Sequence, residues 1–245
     1  MVEFRFRIKR FLRFDPNEIK HIIISVLVMG FIWAFDDKSA TFNFTHWLFN
    51  YARVCAFIAI VLIVHIITQK MFALSNGYRA EYRSWTIGLV LGVIVTLLTM
   101  GKFHYLLMPG GIVLYHLTRQ RIGDFRYGLN TYQSGLIAAT GPFANLFFAM
   151  MVKTSQWIFN IKSPFLDEMF IFTLVFVFTM SLPIPPLPGV MMFFASKIVY
   201  SFLMGVILSY LLLLIIFNFY SLIWAIILGA VLFGLYYWFV EKGET

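Results

Sequence analysis

The sequence predicts an all-α polytopic membrane protein with six transmembrane helices and a short membrane-associated β-hairpin or re-entrant segment. Of its 245 residues, 61% are hydrophobic and 12% are charged, whereas an ordinary soluble domain is about 45–50% apolar and about 25% charged. The apolar residues also form runs near the ~20 residues that a helix needs to cross a bilayer. We interpret residues 1–245 as a single membrane domain.

The charge and the cysteine count exclude several classes of protein. The net charge is +8, but the basic residues stand between apolar runs, where they orient helices, so we expect no nucleic-acid partner. The single Cys55 excludes an intramolecular disulfide and a zinc site built from cysteines. No small-residue cleavage site follows the first apolar run, so we expect it to remain as an anchoring helix.

Residues 1–18 are predicted to be a basic interfacial segment. Within it, residues 4–9 alternate apolar and basic side chains, which is a strand pattern. Such an edge could lie against anionic membrane lipid. Asp15 and Pro16 then predict a helix start, with aspartate as the N-cap and proline at the first helical position.

The remaining chain divides into a core, 19–189, and a C-terminal helix pair, 190–245. Residues 183–189 cannot form regular helix, because four of the seven are proline. The apolar run 198–240 is twice the length of one span, so we expect it to turn near 218–221. The predicted spans are, in order, 19–35, 53–73, 134–152, 169–182 and the two within 198–240.

Residues 87–117 contain two apolar stretches that are each too short to cross. The first, 87–100, has 14 residues, and the second is broken at Pro109, Gly110 and Gly111. This pattern favours a re-entrant hairpin, although two short spans remain an alternative. Irregular backbone at membrane depth is tolerated only where protein or a cavity covers it.

The basic residues predict the orientation. With six spans and a cytoplasmic N-terminus, fourteen Lys and Arg residues lie inside and four lie outside. We therefore expect a multi-pass cell-membrane protein with cytoplasmic N- and C-termini. This arrangement requires residues 87–117 to return to the side from which they start.

The candidate functional residues begin on the second span. His65 and Gln69 are four residues apart, so they share one helix face. Zinc metalloproteases carry H-E-x-x-H on such a helix, with two histidine ligands and a glutamate general base. A Gly-Pro-x-x-Asn motif follows at 141–145, and the proline-rich turn follows at 183–189.

In this order, the three features resemble the site-2 protease family of intramembrane zinc metalloproteases. Residues 77–83 are similar to the family's sequence after its histidine helix, and residues 108–111 to its membrane-associated β-hairpin. The resemblance covers about residues 15–200. It implies a six-helix fold and a zinc site built from two histidines and the aspartate of a Leu-Asp-Gly turn.

This chain departs from the family at the residues that carry the chemistry. Carried over by position, His65 is the first ligand, Ile66 replaces the general base, Gln69 replaces the second ligand and Pro188 replaces the aspartate. A catalytic zinc needs about three protein ligands and an open position for water. The resemblance therefore implies a degenerate, catalytically inactive member, a pseudoprotease, without a cofactor.

We expect the former substrate cleft to bind a transmembrane or extended segment of another membrane protein without cutting it. An extended partner could pair with backbone groups of the hairpin and the proline-rich turn. The predicted cleft residues are Asn145, Gly141, Pro109, Gly110, Pro185, Pro186 and Leu187. A purely structural interpretation is that Gly141 permits close helix packing and that Asn145 makes an interhelical hydrogen bond, in which His65 could also take part.

Two alternatives remain. The protein could be an active zinc protease with rearranged ligands, in which His104 or His116 joins His65. It could also be a small transporter or channel subunit, which ranks last because the spans contain essentially no charged residues. The sequence does not identify the partner or the oligomeric state.

Overall fold

The computed structural model describes residues 2–36, 43–117, 128–217 and 222–238. Of the described residues, 75% are helical, and a two-stranded sheet is the sheet found among them. In chain order the elements are α1 (Val2–Phe11), α2 (Pro16–Ala34), α3 (Phe44–Ser75), β1 (Tyr78–Ser84), α4 (Thr86–Leu98), β2 (Gly110–His116), α5 (Thr131–Ile158), α6 (Pro164–Met180), α7 (Pro188–Ala195), α8 (Lys197–Phe217) and α9 (Leu222–Tyr236).

Three of these helices, α2, α3 and α5, are long and apolar enough to cross a membrane. The helices α4, α6 and α9 are shorter, and α8 is described with its side chains only over residues 197–213, a stretch that is also shorter, so six spans remain a prediction. The predicted turn at 218–221 lies outside the described residues. So do Lys242 and the basic residues of 119–126, on which part of the predicted orientation depends.

Capping residues stand where the long helices begin, although the side chain of Asp15 makes no capping hydrogen bond to α2. Pro16 occupies the first turn of α2 after Asp15, as predicted. Asn43 accepts hydrogen bonds from the backbone N–H groups of Thr45 and His46, at 3.0 and 3.4 Å, so α3 begins at Phe44. The helix therefore begins before residue 53, the predicted start of the second span, because the preceding segment continues the same helix.

The N-terminal segment is helical, and the predicted strand at 4–9 was wrong. Among the described residues no strand lies beside this segment to pair with it, and a helix satisfies its own backbone groups. The helix α1 is tied to the end of α3, because Arg7 donates to the carbonyl oxygen of Leu74 at 3.3 Å.

The sheet joins two segments that are distant in sequence. Strands β1 and β2 are antiparallel, with Tyr78 opposite His116 and Ser84 opposite Gly110. The prediction of a hairpin confined to 87–117 was therefore wrong, because the first strand precedes that segment. The helix α4 lies in the connection between the two strands.

The connection between the strands closes on itself, while its predicted re-entry into a membrane stays a prediction. Trp85 N donates to the carbonyl of Pro109 at 2.7 Å, so the chain returns to where it left the sheet. The returning stretch packs on α4 at two glycines. A Cβ on Gly88 would lie 2.7 Å from Met108 O, and one on Gly92 would lie 2.9 Å from Leu106 O. Only glycine permits this approach.

The two ends of the helix bundle have different contacts. At the sheet end, α3 leads into β1, and Tyr78 Oη donates to Gln133 near the start of α5 at 2.7 Å. At the opposite end, α2 finishes while α3 and α6 begin. There Trp33 Nε1 and Arg53 donate to Glu168 at 3.2 and 2.7 Å.

Candidate functional site

His65 lies on the buried face of α3 and is 2% exposed. Asn145 Nδ2 on α5 donates to His65 Nδ1 at 3.3 Å, and the ring of Phe176 on α6 stands edge-on with centroids 5.3 Å apart. The interhelical hydrogen bond anticipated for His65 is therefore present.

Gln69 is fully buried one turn along the same helix face. Its Nε2 donates to the carbonyl of Ala138 at 2.9 Å. This bond fixes the amide orientation, because a flipped amide would place two carbonyl oxygens against each other. Among the described residues, Gln69 Oε1 and Asn145 Oδ1 accept no hydrogen bond.

Gly141 allows α5 to contact this face of α3 directly. A Cβ at Gly141 would lie 2.6 Å from His65 Nε2 and 2.7 Å from Gln69 Nε2. Both nitrogen atoms therefore lie against the backbone of α5. We call His65, Gln69, Gly141 and Asn145 the polar cluster. It is neutral, and it is held together by hydrogen bonds and packing.

The other two positions that were matched to the protease motif, Ile66 and Pro188, supply no polar side-chain atom. Ile66 is fully buried in the main hydrophobic core. Pro188 is buried at the first turn of α7, and proline has no side-chain donor or acceptor. A Cβ on the next residue, Gly189, would lie 2.2 Å from Leu182 O, so the turn is tightly closed. These residues provide neither a general base nor an acidic ligand.

His104 and His116, the two histidines considered as further zinc ligands, each pack against another aromatic residue. The ring of His104 packs edge-on to Trp33 with centroids 4.8 Å apart, and its Nδ1 is 3.0 Å from Gly101 O. The ring of His116 lies beside Tyr78, at 5.2 Å. Over the described ranges, no three or more His, Cys, Asp or Glu side chains are grouped to hold a metal.

The predicted cleft residues of the hairpin and the proline-rich turn pack on one another. A Cβ on Gly111 would lie 2.4 Å from Pro186 O, so β2 contacts the turn directly. Leu187 is 1% exposed. Gly110 has φ +136°, which requires glycine, and it pairs with Ser84. The predicted cleft is therefore closed where β2 contacts the proline-rich turn, while Pro185 and Pro186 are exposed at its edge.

An open apolar groove lies between the returning stretch of the connection and α6. Its volume is about 530 Å³. Among the described residues, the backbone N–H groups of His104, Tyr105 and Leu106 beside it donate no hydrogen bond. The apolar groove is lined by Phe103, Tyr105, Leu106, Ile171, Leu174, Val175, Phe178, Thr179, Leu182 and Leu211. None of the predicted cleft residues lines it.

Sequence reasoning missed a buried ion pair. Lys70 Nζ lies 2.6 Å from Glu18 Oε2, and both residues are 3% exposed. Lys70 also donates to Arg13 O at 3.0 Å, and Glu18 Oε1 accepts from the backbone of Tyr82 at 3.0 Å. The available signal was a lysine next to Gln69 inside an apolar helix, since a charge at such a position needs a partner.

Comparison with known proteins gives one informative similarity. The "putative zinc metalloprotease" of Methanocaldococcus jannaschii is 28% identical to this chain over 148 residues, which are 60% of this chain and 66% of the relative. The match thus covers just under two thirds of the relative's length. No family model matches the chain. No solved structure matches it significantly.

The similarity supports a metalloprotease-like relationship. The helical fold with three candidate membrane-spanning helices indicates a membrane protein.

Proposed function

We propose that this protein is a catalytically inactive membrane protein of the site-2 protease type that binds a segment of another membrane protein. In this proposal residues 1–245 form one membrane domain with six spans and cytoplasmic termini. The partner segment is apolar and extended, and it lies in the apolar groove. The polar cluster supports the loss of catalysis, and the apolar groove supports partner binding.

The loss of catalysis is supported by the composition and contacts of the polar cluster. Gln69 uses its amide to bind the backbone of α5, and His65 binds Asn145. Zinc-bound water also needs a base to accept its proton, and Ile66 is a hydrocarbon within the core. A neutral hydrogen-bonded cluster of this kind joins helices, but it does not activate water.

Elemental analysis tests this part of the proposal. The protein is purified in mild detergent, dialysed against zinc and assayed for bound metal beside a His65→Ala variant. We expect clearly substoichiometric zinc in both proteins. One zinc per chain that is lost in His65→Ala would contradict the proposal.

Partner binding is supported by the apolar groove. A partner of extended backbone could accept hydrogen bonds from the N–H groups of Tyr105 and Leu106, while its side chains enter the apolar volume. Within a bilayer the partner's side chains do not leave water, so close packing against the lining of the groove would contribute the binding energy. An apolar segment therefore fits the groove better than a polar peptide does.

Site-specific photocrosslinking in native membranes tests partner binding. A photoreactive residue replaces Tyr105 or Ile171, which are 43% and 45% exposed at the groove, while the control replaces Ile227, which is 46% exposed on α9. We expect the same protein adduct from both groove positions and none from Ile227. Adducts with lipid alone from all three positions would contradict partner binding.

A second candidate is an active zinc protease with other ligands. The name of the Methanocaldococcus jannaschii relative favours it. This candidate requires further donors beside His65, and among the described residues His65 belongs to no group of three or more His, Cys, Asp or Glu side chains that could hold a metal. The zinc measurement on the His65→Ala variant distinguishes the two candidates.

A further inference from the structure

Trp33, in the last turn of α2, packs against the extended stretch that forms one wall of the apolar groove. It is 7% exposed. The centroid of its indole ring lies 4.8 Å from that of His104 and 6.1 Å from that of Tyr105, and Phe172 of α6 is 5.1 Å away. All three contacts are edge-on, which is a favoured arrangement of aromatic rings. One side chain therefore contacts both elements between which the groove lies.

The middle of this stretch has no backbone hydrogen bond that would hold its N–H groups in place. Among the described residues, the N–H groups of His104, Tyr105 and Leu106 donate no hydrogen bond. The N–H groups on either side, those of Phe103 and Leu107, do donate, at 3.2 and 3.1 Å. Side-chain packing therefore fixes the segment whose N–H groups face the proposed partner.

Glu168 fixes the orientation of the indole ring. Trp33 Nε1 donates to Glu168 Oε1 at 3.2 Å. A buried indole N–H group usually has such a partner. The second carboxylate oxygen, Oε2, accepts from Arg53 on α3 at 2.7 Å. The ring thus has one defined orientation, because turning it over would break the hydrogen bond of its N–H group.

The ion pair that holds the indole lies partly in the open. The side chains of Arg53 and Glu168 are 42% and 29% exposed, whereas Trp33 is buried. Trp33 therefore connects an accessible ion pair at the end of the bundle to backbone groups inside the groove.

We propose that Trp33 is a positioning residue for the partner site in the apolar groove and that Glu168 holds it in its working orientation. The indole supports His104 and Tyr105, so that the N–H groups of Tyr105 and Leu106 stay available to an extended partner. Without the hydrogen bond from Glu168 the indole turns, and the stretch loses its support. This inference rests on the proposed partner binding, but the position of the stretch is measurable without a partner.

Cysteine labelling tests the position of the stretch in the purified protein. In a Cys55→Ala background, a cysteine replaces the fully buried Leu107. Glu168→Leu removes the acceptor, so we expect its maleimide reaction to be about two- to tenfold faster, the factor that one hydrogen bond provides. Trp33→Phe should react at least as fast. Glu168→Gln should stay near the parent rate, because its amide oxygen still accepts from the indole while the exposed Arg53 turns to water.

The matched control is Asp167→Leu, which changes the neighbouring acid on α6. Asp167 pairs with Lys153 of α5 at 2.5 Å. The control thus removes an ion pair from the same helical turn but keeps the hydrogen bond of Trp33, and its labelling rate should equal that of the parent. Gel filtration checks that each variant is folded. Unchanged rates in Glu168→Leu and Trp33→Phe, or an equal increase in Asp167→Leu, would overturn the positioning role.

Photocrosslinking from Ile171 connects the position of the stretch to partner binding. The yield of the partner adduct should fall about two- to tenfold in Glu168→Leu and in Trp33→Phe, but not in Glu168→Gln. A full yield in both variants would overturn the positioning role. Absence of any adduct in the parent protein would contradict partner binding itself, while the labelling rates would still decide what holds the stretch.

Discussion

Lys70 and Glu18 form an ion pair with a 2.6 Å Nζ–Oε2 distance, and their side chains are only 4% and 3% exposed. The pair joins α2 to α3 one residue beyond the polar cluster. Each partner makes one further hydrogen bond, since Lys70 donates to the carbonyl of Arg13 and Glu18 accepts from the backbone N–H of Tyr82. It is a buried charge pair in a chain with few charges.

The first prediction concerns this pair. Lys70→Met leaves an unpaired buried carboxylate, so we expect a loss of about 3–5 kcal/mol in the free energy of unfolding. The double variant with Glu18→Gln should lose much less, because no buried charge is left alone. Denaturant titration in detergent measures all three proteins.

The matched control for the first prediction is Arg53→Ala. Arg53 is paired with Glu168 at 2.7 Å, but its side chain is 42% exposed. Such pairs contribute about 0–1 kcal/mol. If Lys70→Met were no more destabilising than Arg53→Ala, the buried pair would have no special role in joining the two helices.

The second prediction concerns Gly141. An added methyl group at this position meets His65 and Gln69 at 2.6–2.7 Å, so Gly141→Ala should destabilise the fold by about 1–3 kcal/mol through overpacking. Gly234→Ala is the control, because nothing lies within 4 Å of its added Cβ. Thermal unfolding in detergent compares the two. A neutral Gly141→Ala variant would show that α5 does not pack on His65.

The third prediction concerns restoration of a metal site. If Gln69 and Pro188 stand at former ligand positions, the double variant Gln69→His and Pro188→Asp should bind zinc through three side chains. Adding Ile66→Glu should then supply a general base. Zinc content of the purified protein is the measurement, and Gln69→Asn with Pro188→Asp is the control.

Failure of the double variant to take up zinc, with the fold intact, would show that the positional correspondence with the protease family does not hold. Zinc uptake by the Gln69→Asn control would also argue against it.

The fourth prediction concerns the connection between β1 and β2. In a Cys55→Ala background, a cysteine at Tyr105 should react with a maleimide, while one at the fully buried Leu107 should not. Gly92→Leu should expose position 107, because its side chain would displace the backbone at Leu106. Mass shift after labelling reports each case.

If a cysteine at position 107 reacted as fast as one at 105 without Gly92→Leu, the returning stretch would not be packed on α4. The apolar groove would then lack its wall, and the proposed partner site would be lost with it.

The patterns that identified the long helices are local ones. Apolar runs of sufficient length place α2, α3 and α5, and the prolines at 183–186 separate α6 from α7. The prediction that all of 183–189 is non-helical was wrong at its end, because Pro188 occupies the first turn of α7, where proline is tolerated. The helix ends were less accurate, because Asn43 caps α3 well before its most apolar part. A short basic–aromatic alternation could not distinguish strand from helix, and α1 is a helix.

Composition and order of motifs were sufficient to predict a helical membrane protein and to place His65 and Asn145 in one polar cluster. Three-dimensional packing decided the rest. Three features depend on residues that are far apart in sequence: the pairing of Tyr78 with His116, the buried ion pair of Lys70 with Glu18, and the groove beside Tyr105. Such contacts produce no periodic pattern in the local sequence, because they form only when distant helices and strands come together.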